Sequence, residues 1–174
     1  MQLIKCTGKL RKEMGVADGD LHLDEIAGDG LGPWHANLLY ISGRKCVLCA
    51  NDKTLIHFIV PDVRRAEVRQ FQAMFLQGLE TLLLLLGVAD AQRASILPEY
   101  ADVHIGKSNS RSVLGSMNDL AFQYEFLIRR AGGLYAADVP GIIYELNQMP
   151  MRCKNLQSAI IPRQAFSRYC ETAG

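Results

Sequence analysis

The densest group of hydrogen-bonding side chains in this chain surrounds the start of a predicted helix at residues 109–127. Its members are Asn109, Arg111, Ser112, Ser116, Asn118 and Asp119. N–H groups at a helix start have no intrahelical partners and attract anions, and an arginine there can hold phosphate or carboxylate through two parallel hydrogen bonds. The stretch therefore predicts an anion site, with Arg111, Ser112, Ser116 and Asn118 as binding residues.

A structural role would explain the same residues. Ser116 and Asp119 have the spacing of a capping box, and Ser110 competes with Ser116 as the residue that begins the helix. Asp119 opposes anion binding unless it acts as a base, binds a metal or pairs with Arg111. The chain contains no Walker-type Gly-Lys-Ser/Thr pattern, GxGxxG, GxSxG or HExxH motif that would favour one interpretation.

A predicted antiparallel β-meander carries the second polar group. The runs WHANLLYI and RKCVLCA are joined by Ser42 and Gly43, which suit a tight hairpin. Asp52 and Lys53 are the next predicted turn, before a third strand at residues 54–60. In this register Leu48 pairs with both Asn37 and His57.

The meander has one apolar face and one mixed face, because side chains alternate along a strand. The mixed face carries His35, Asn37 and His57. Two histidines and an amide can bind a metal, orient a water or hold a phosphate. The alternative is that the backbone or a covering helix satisfies each of them. Cys46 and Cys49 form a CxxC inside one strand, so they point to opposite faces and are interpreted as ordinary buried cysteines rather than a metal or redox site.

The remaining pattern predicts an α+β fold of one domain, residues 1–174. The meander is extended to about four or five strands by Gln2–Cys6 and residues 102–107. Two long helices cover it, one at residues 62–86 capped by Asp62 and one ending near Arg130. The predicted short helices are Gly8–Met14, residues 90–97 and residues 138–147. Residues 18–33 predict a loop, and residues 152–174 an irregular C-terminal strap.

Composition argues against several classes of protein. A net charge of +1, from 19 basic and 18 acidic residues, argues against a dedicated nucleic-acid binder, although the pairs Arg64–Arg65 and Arg129–Arg130 leave a local basic patch open. No apolar run has the length of a signal peptide or membrane span. The odd count of 5 cysteines does not suit a disulfide framework. The chain is therefore expected in the cytoplasm.

Three strings, WHANLLYISGRKCVLCANDKTL, KSNSRSVLGSMNDLAFQYEFL and ELNQMPM, resemble a family of small bacterial proteins classed as a domain of unknown function. The likeness extends from MQLIKCTGKL to about Met151. It implies a cytosolic protein and supplies no activity, cofactor or catalytic residue. The polar residues on matching positions are Trp34, His35, Asn37, Lys45, Asn51, Lys53, Thr54, Arg111, Ser112, Ser116, Asn118, Asp119 and Asn147.

Two functions follow. The favoured one is a non-enzymatic binding or regulatory module, whose partner is another protein, a second copy of the chain, or nucleic acid through a local basic patch. The alternative is a small hydrolase-like enzyme for a phosphorylated or anionic substrate. In that mechanism Arg111 holds the anion, His35 or His57 is the general base, and Asp119 binds a divalent metal or orients the histidine. Asn37 and Lys53 complete the predicted binding residues, and no metal site or cofactor is predicted.

Overall fold

The computed structural model describes residues 2–22, 30–108, 110–152 and 158–173. Among these residues the fold is α+β, with a five-stranded sheet and seven α-helices. The strands are β1 (Gln2–Cys6), β2 (Trp34–Ile41), β3 (Arg44–Asn51), β4 (His57–Val60) and β5 (Val103–Lys107). The helices are α1 (Gly8–Met14), α2 (Arg65–Arg69), α3 (Phe71–Leu85), α4 (Asp90–Ile96), α5 (Arg111–Arg130), α6 (Val139–Leu146) and α7 (Pro162–Ala173).

The sheet is mixed, which corrects the prediction of a purely antiparallel meander. Its strand order is β4-β3-β2-β1-β5, and β1 is parallel to both of its neighbours. Parallel neighbours need a crossover connection, and α1 supplies part of the connection from β1 to β2. The chain then passes through α2, α3 and α4 before β5 pairs with the other side of β1. The predicted antiparallel pairing of β2, β3 and β4 is confirmed.

The first hairpin has the predicted register, but the second does not. Ile41 lies opposite Arg44, and Asn37 opposite Leu48, as predicted. His57 lies opposite Ala50 instead of Leu48. The cause is a longer turn than predicted, in which the Asn51 N–H donates to the Ile56 carbonyl at 2.9 Å. This shift of two residues preserves the faces of the strand and places His57 in one row with His35.

Helices cover both faces of the sheet, so the predicted mixed face is also buried. Consecutive residues of a strand point to opposite faces. Phe58 packs against Phe75 of α3, with ring centroids 5.7 Å apart. Its neighbour His57 packs against Tyr124 of α5, at 5.5 Å. The two longest helices therefore lie on opposite sides of the sheet.

Three predictions about the helices differ from the structure. The predicted helix at residues 62–86 is two helices, because Gln70 leaves the helical conformation with ψ 44°, and Asp62 lies outside both with φ 51°. Helix α5 begins after Ser110, whose hydroxyl accepts a hydrogen bond from the Val113 N–H at 3.3 Å. Ser116 therefore lies inside the helix and caps nothing. The tail includes helix α7 where an irregular strap was predicted.

Asn147, at the end of α6, closes the outer side of edge strand β4. Its side chain accepts from the His57 N–H at 3.0 Å and donates to the His57 carbonyl at 2.9 Å. It also donates to the Ile143 carbonyl at 2.8 Å. Asn147 is fully buried, so its amide takes the place of a missing strand partner.

We expect Asn147→Ala to lower the free energy of unfolding by about 2–4 kcal/mol, because it leaves both backbone groups of His57 buried without a partner. Urea denaturation measures the change. The exposed Gln164→Ala on α7 is the control and should stay within about 0.5 kcal/mol of wild type. An equally small effect of Asn147→Ala would show that the edge contact does not stabilise the fold.

Candidate functional site

A line of polar side chains crosses the buried α5 side of the sheet. The Ser108 hydroxyl lies 3.1 Å from Nδ1 of His35. The other ring nitrogen of His35, Nε2, lies 3.4 Å from Oδ1 of Asp52, which is long for a hydrogen bond. Nζ of Lys5 lies 3.4 Å from the second oxygen of the same carboxylate. The order Ser108, His35, Asp52, Lys5 is called the polar line below.

Sheet pairing explains how distant residues meet in this line. Lys5 of β1 lies opposite His35 of β2, and Asp52 begins the turn directly after β3. Ser108 follows the last residue of β5, and its N–H donates to the Cys6 carbonyl at 3.2 Å. The line therefore draws on four neighbouring strands, and its Ser108 end lies at the edge of the sheet where β1 and β5 end.

The charges of the line favour one arrangement of its protons. The contact with His35 lowers the pKa of the Asp52 carboxyl, Lys5 lowers it further, and partial burial opposes the change. An ionised Asp52 favours the tautomer of His35 that carries its proton on Nε2. Nδ1 is then an acceptor for the Ser108 hydroxyl. His35 is fully buried, whereas Ser108 is only partly buried, so the line leads from the interior toward solvent.

Further polar groups gather where β1 and β5 end. The Thr7 hydroxyl, directly after β1, donates to Oδ1 of Asn37 at 2.8 Å. Helix α5 starts three residues beyond Ser108, and its first residue, Arg111, is exposed. In open α/β sheets, ligands bind in the crevice outside the carboxyl ends of the parallel strands. We call Thr7, His35, Asn37, Ser108 and Arg111 the carboxyl-edge site.

His57 does not belong to this site, although it lies in the same row of the sheet as His35. Its Nδ1 lies 2.8 Å from the Tyr124 hydroxyl, and its backbone is held by Asn147. Burial lowers the pKa of His57 to about 3, and the Leu146 backbone only partly opposes this. Burial favours the neutral form of the His57 ring, and its contacts lead to Tyr124 and Asn147 rather than to the carboxyl-edge site.

The remaining predicted site residues are separated from the carboxyl-edge site. Asn118 and Asp119 are exposed on α5, and the eight residues from Arg111 to Asp119 correspond to about 12 Å along the helix axis. The Ser116 hydroxyl donates within the structure, to the carbonyls of Ser112 and Arg152 at 3.3 Å each. Lys53 donates to the Gly30 carbonyl at 3.0 Å and so belongs to the turn after β3. Asn109 lies outside the described residues.

Thr7 and Ser108 of this site, and Asp52 of the polar line, were missed as functional candidates. Ser108 and Asp52 stand inside the strings KSNSRS and NDKTL, and Thr7 directly precedes the predicted helix Gly8–Met14. Ser108 and His35 are 73 residues apart, so local spacing carries no signal that they meet. Knowing that β5 pairs with β1 in parallel would have placed Ser108 beside the end of β1.

Cys46 and Cys49 lie on opposite faces of β3, as the strand alternation predicted. Both are buried, and burial raises the pKa of each thiol. Within the described part of the chain, no group of three or more His, Cys, Asp or Glu side chains is arranged to hold a metal ion.

The fold and site define an α+β protein with a mixed sheet covered on both faces and a polar site where its parallel strands end. The chain belongs to the family described as a domain of unknown function (DUF6933), whose family model matches residues 3–165. No curated protein and no solved structure matches the chain. None of the helices in the described ranges is both long and apolar enough to cross a membrane.

We expect His57 to make the protein less stable in mild acid. The unfolded histidine, with a pKa near 6.5, binds a proton that the folded one refuses until about pH 3. The stabilisation is complete above about pH 6.5 and falls by about 1.4 kcal/mol for each pH unit below it. His57→Gln should therefore reduce the slope of unfolding free energy against pH between about pH 6 and 4.5.

Urea titrations across this pH range measure the slope for wild type and variant. His104→Gln changes a partly exposed ring and is the matched control, which should keep the wild-type slope. An unchanged slope in His57→Gln would show that His57 does not cause the acid sensitivity. A general loss of stability at every pH would leave this comparison intact, because only the slope is compared.

Proposed function

We propose that the protein is a binding module for a small anionic ligand, held at the carboxyl-edge site. The observation that carries the proposal is the contact between the Ser108 hydroxyl and the buried ring of His35, directly ahead of the start of α5. The contact fixes a partly exposed hydroxyl at the place where the helix dipole favours negative charge.

Four cysteines among the described residues are free thiols: Cys6, Cys46, Cys49 and Cys170. Free thiols support the proposal that the protein works in a reducing compartment such as the cytoplasm.

The charges around Ser108 also favour an anion. Lys107 and Arg111 flank it in sequence, and both side chains are exposed. The nearest acidic side chain of the polar line, Asp52, already contacts His35 and Lys5, which offset its charge. An incoming phosphate or carboxylate would accept hydrogen bonds from Ser108 and Arg111. The Ser108 hydroxyl has one hydrogen, so donating it to the anion requires Nδ1 of His35 to carry a proton and to donate to the Ser108 oxygen. His35 would support the hydroxyl from behind without entering the ligand's own contact surface.

Arg111→Ala should weaken the binding of an anion by about 10-fold to 100-fold, since a hydrogen bond to a charged group contributes about 1.5–3 kcal/mol. Calorimetric titration with inorganic phosphate, pyrophosphate and adenosine monophosphate provides the measurement. Arg168→Ala removes an exposed arginine on α7 and is the control. The proposal fails if none of the three probes binds wild type at millimolar concentration, or if both variants bind as wild type does.

A second candidate function is hydrolysis of a phosphorylated substrate, and the order of groups in the polar line favours it. Ser108, His35 and Asp52 occupy the roles of nucleophile, base and orienting carboxylate. In the first step the Ser108 oxygen bonds to phosphorus and the bond to the leaving group breaks. The hydroxyl proton moves to Nδ1 of His35, and water then releases phosphate from the serine. Asp52 stabilises the protonated ring.

Hydrolysis of p-nitrophenyl phosphate tests this second candidate. Ser108→Ala should reduce the rate by about 100-fold or more if Ser108 is the nucleophile. Ser167→Ala on α7 is the control for loss of an exposed hydroxyl. If the wild type does not hydrolyse the compound but binds phosphate in a way that depends on Arg111, the enzyme is rejected and the binding module is supported. A rate that survives Ser108→Ala would also reject it.

A further inference from the structure

Helix α5 presents two large aromatic side chains to solvent. Phe122 is 70% exposed and Phe126 is 54% exposed. They are four residues apart and so lie one above the other on one face of the helix. Exposing one aromatic ring is common, but two adjacent rings at the centre of a 20-residue helix form a contiguous apolar surface.

This surface is opposite to the face that α5 packs on the sheet. The inward residues are the buried Val113, Met117, Leu120, Tyr124 and Ile128. At 100° per residue, Phe122 and Phe126 point about 180° away from the mean direction of that set. Asp119 and Arg129 flank the two rings on the outward side, and both are exposed.

We propose that a second copy of this chain docks on this face, with the two α5 helices packed antiparallel. The reason is self-complementarity about position 124. In an antiparallel pair centred there, Phe122 lies opposite Phe126 of the other copy, and Asp119 lies opposite Arg129 of the other copy. Each contact then occurs twice, as two-fold symmetry requires.

The charges on this face are available for such a contact. Arg129 pairs with Glu125 of its own helix at 2.7 Å, but its side chain remains 62% exposed and a guanidinium has five N–H donors. Asp119 has no ion-pair partner among the described residues. The antiparallel arrangement brings each Asp119 to an arginine, whereas a parallel arrangement in register would place like charges opposite each other. Because one helix per copy forms the contact, we expect a dissociation constant on the order of micromolar.

Sedimentation equilibrium over a range of protein concentrations tests the proposal. Phe122→Ser should weaken dimerisation by about 100-fold, because the ring is lost twice per dimer. Tyr40→Ser removes an aromatic ring that is 55% exposed on β2 and should leave the dissociation constant unchanged. A wild-type protein that stays monomeric at several hundred micromolar, or a dimer that Phe122→Ser does not affect, would overturn the proposal.

A charge exchange tests the antiparallel register itself. Asp119→Lys and Arg129→Glu should each weaken dimerisation by about tenfold or more, since each places like charges opposite each other at two points. The double variant restores both pairs with reversed sign and should return to within about threefold of wild type. Circular dichroism verifies that the variants fold. If either charge variant is unfolded, the result with Phe122→Ser decides the proposal. A double variant weaker than both single variants would reject the register.

Discussion

Burial of histidine within a sheet that is covered on both faces sets the main constraint on this structure. His35 and His57 flank Ala50 in one row, and neither ring is exposed. A polar group removed from water without a hydrogen bond costs several kcal/mol, so each ring needs a partner from elsewhere in the chain. Ser108 contacts Nδ1 of His35, and Tyr124 contacts Nδ1 of His57. Nε2 of His57 has no hydrogen-bond partner among the described residues, and Nε2 of His35 has only the 3.4 Å approach of Asp52, which is not a hydrogen bond. The positions of β5, the turn after β3, and helix α5 are all tied to these two rings.

The two rings use their partners differently, which separates a candidate site from a structural contact. The partners of His57 are themselves fully buried, and the contact ends inside the protein. The partners of His35 lie at the margin of the core, where Ser108 and Asp52 are both partly buried. The contacts of the His35 ring therefore end at partly exposed side chains, whereas those of the His57 ring end at buried ones.

Side-chain amides also replace backbone hydrogen bonds at two places in the sheet. Asn147 occupies the outer side of β4, as described above. Asn51 organises the turn after β3, where its Oδ1 accepts from the Thr54 N–H at 2.9 Å and its Nδ2 donates to the Leu31 carbonyl at 3.1 Å. Both asparagines are fully buried. These hydrogen bonds explain why the chain has an asparagine at two buried positions where an apolar residue would be expected.

Local signals in the sequence determined what could be predicted. The Ser42 and Gly43 turn fixed the first hairpin, because a two-residue turn permits one register. The second register was wrong by two residues because the Asn51 amide builds a longer turn, and no dipeptide pattern announces that. The helix start was ambiguous between Ser110 and Ser116, since both are good caps by type. The parallel pairing of β1 with β5 could not be predicted, because strand pairing between distant segments leaves no periodicity.

The long separation along the chain between contacting residues also limited prediction of the site. His35 was identified as a candidate, but it was grouped with Asn37, His57 and Asp119 instead of with Ser108 and Asp52. The grouping with His57 followed from correct face assignments. It failed because sharing a face does not bring two rings together across an intervening strand, which separates them by about 10 Å. Asp119 was chosen because it belongs to the polar group around the predicted helix start, and with the helix starting after Ser110 it lies about two turns inside α5.

The position of β1 between β2 and β5 has a consequence for how the protein is made. Its partners in β5 come about 100 residues later in the chain, so synthesis at the ribosome exposes β1 long before that edge can be paired. Closing so long a loop is entropically costly and makes the pairing a late event in folding. Ser108 reaches His35 only when β5 has docked. The polar line is therefore completed by the last strand to arrive, and a nascent chain halted before that point would hold a buried histidine without its serine.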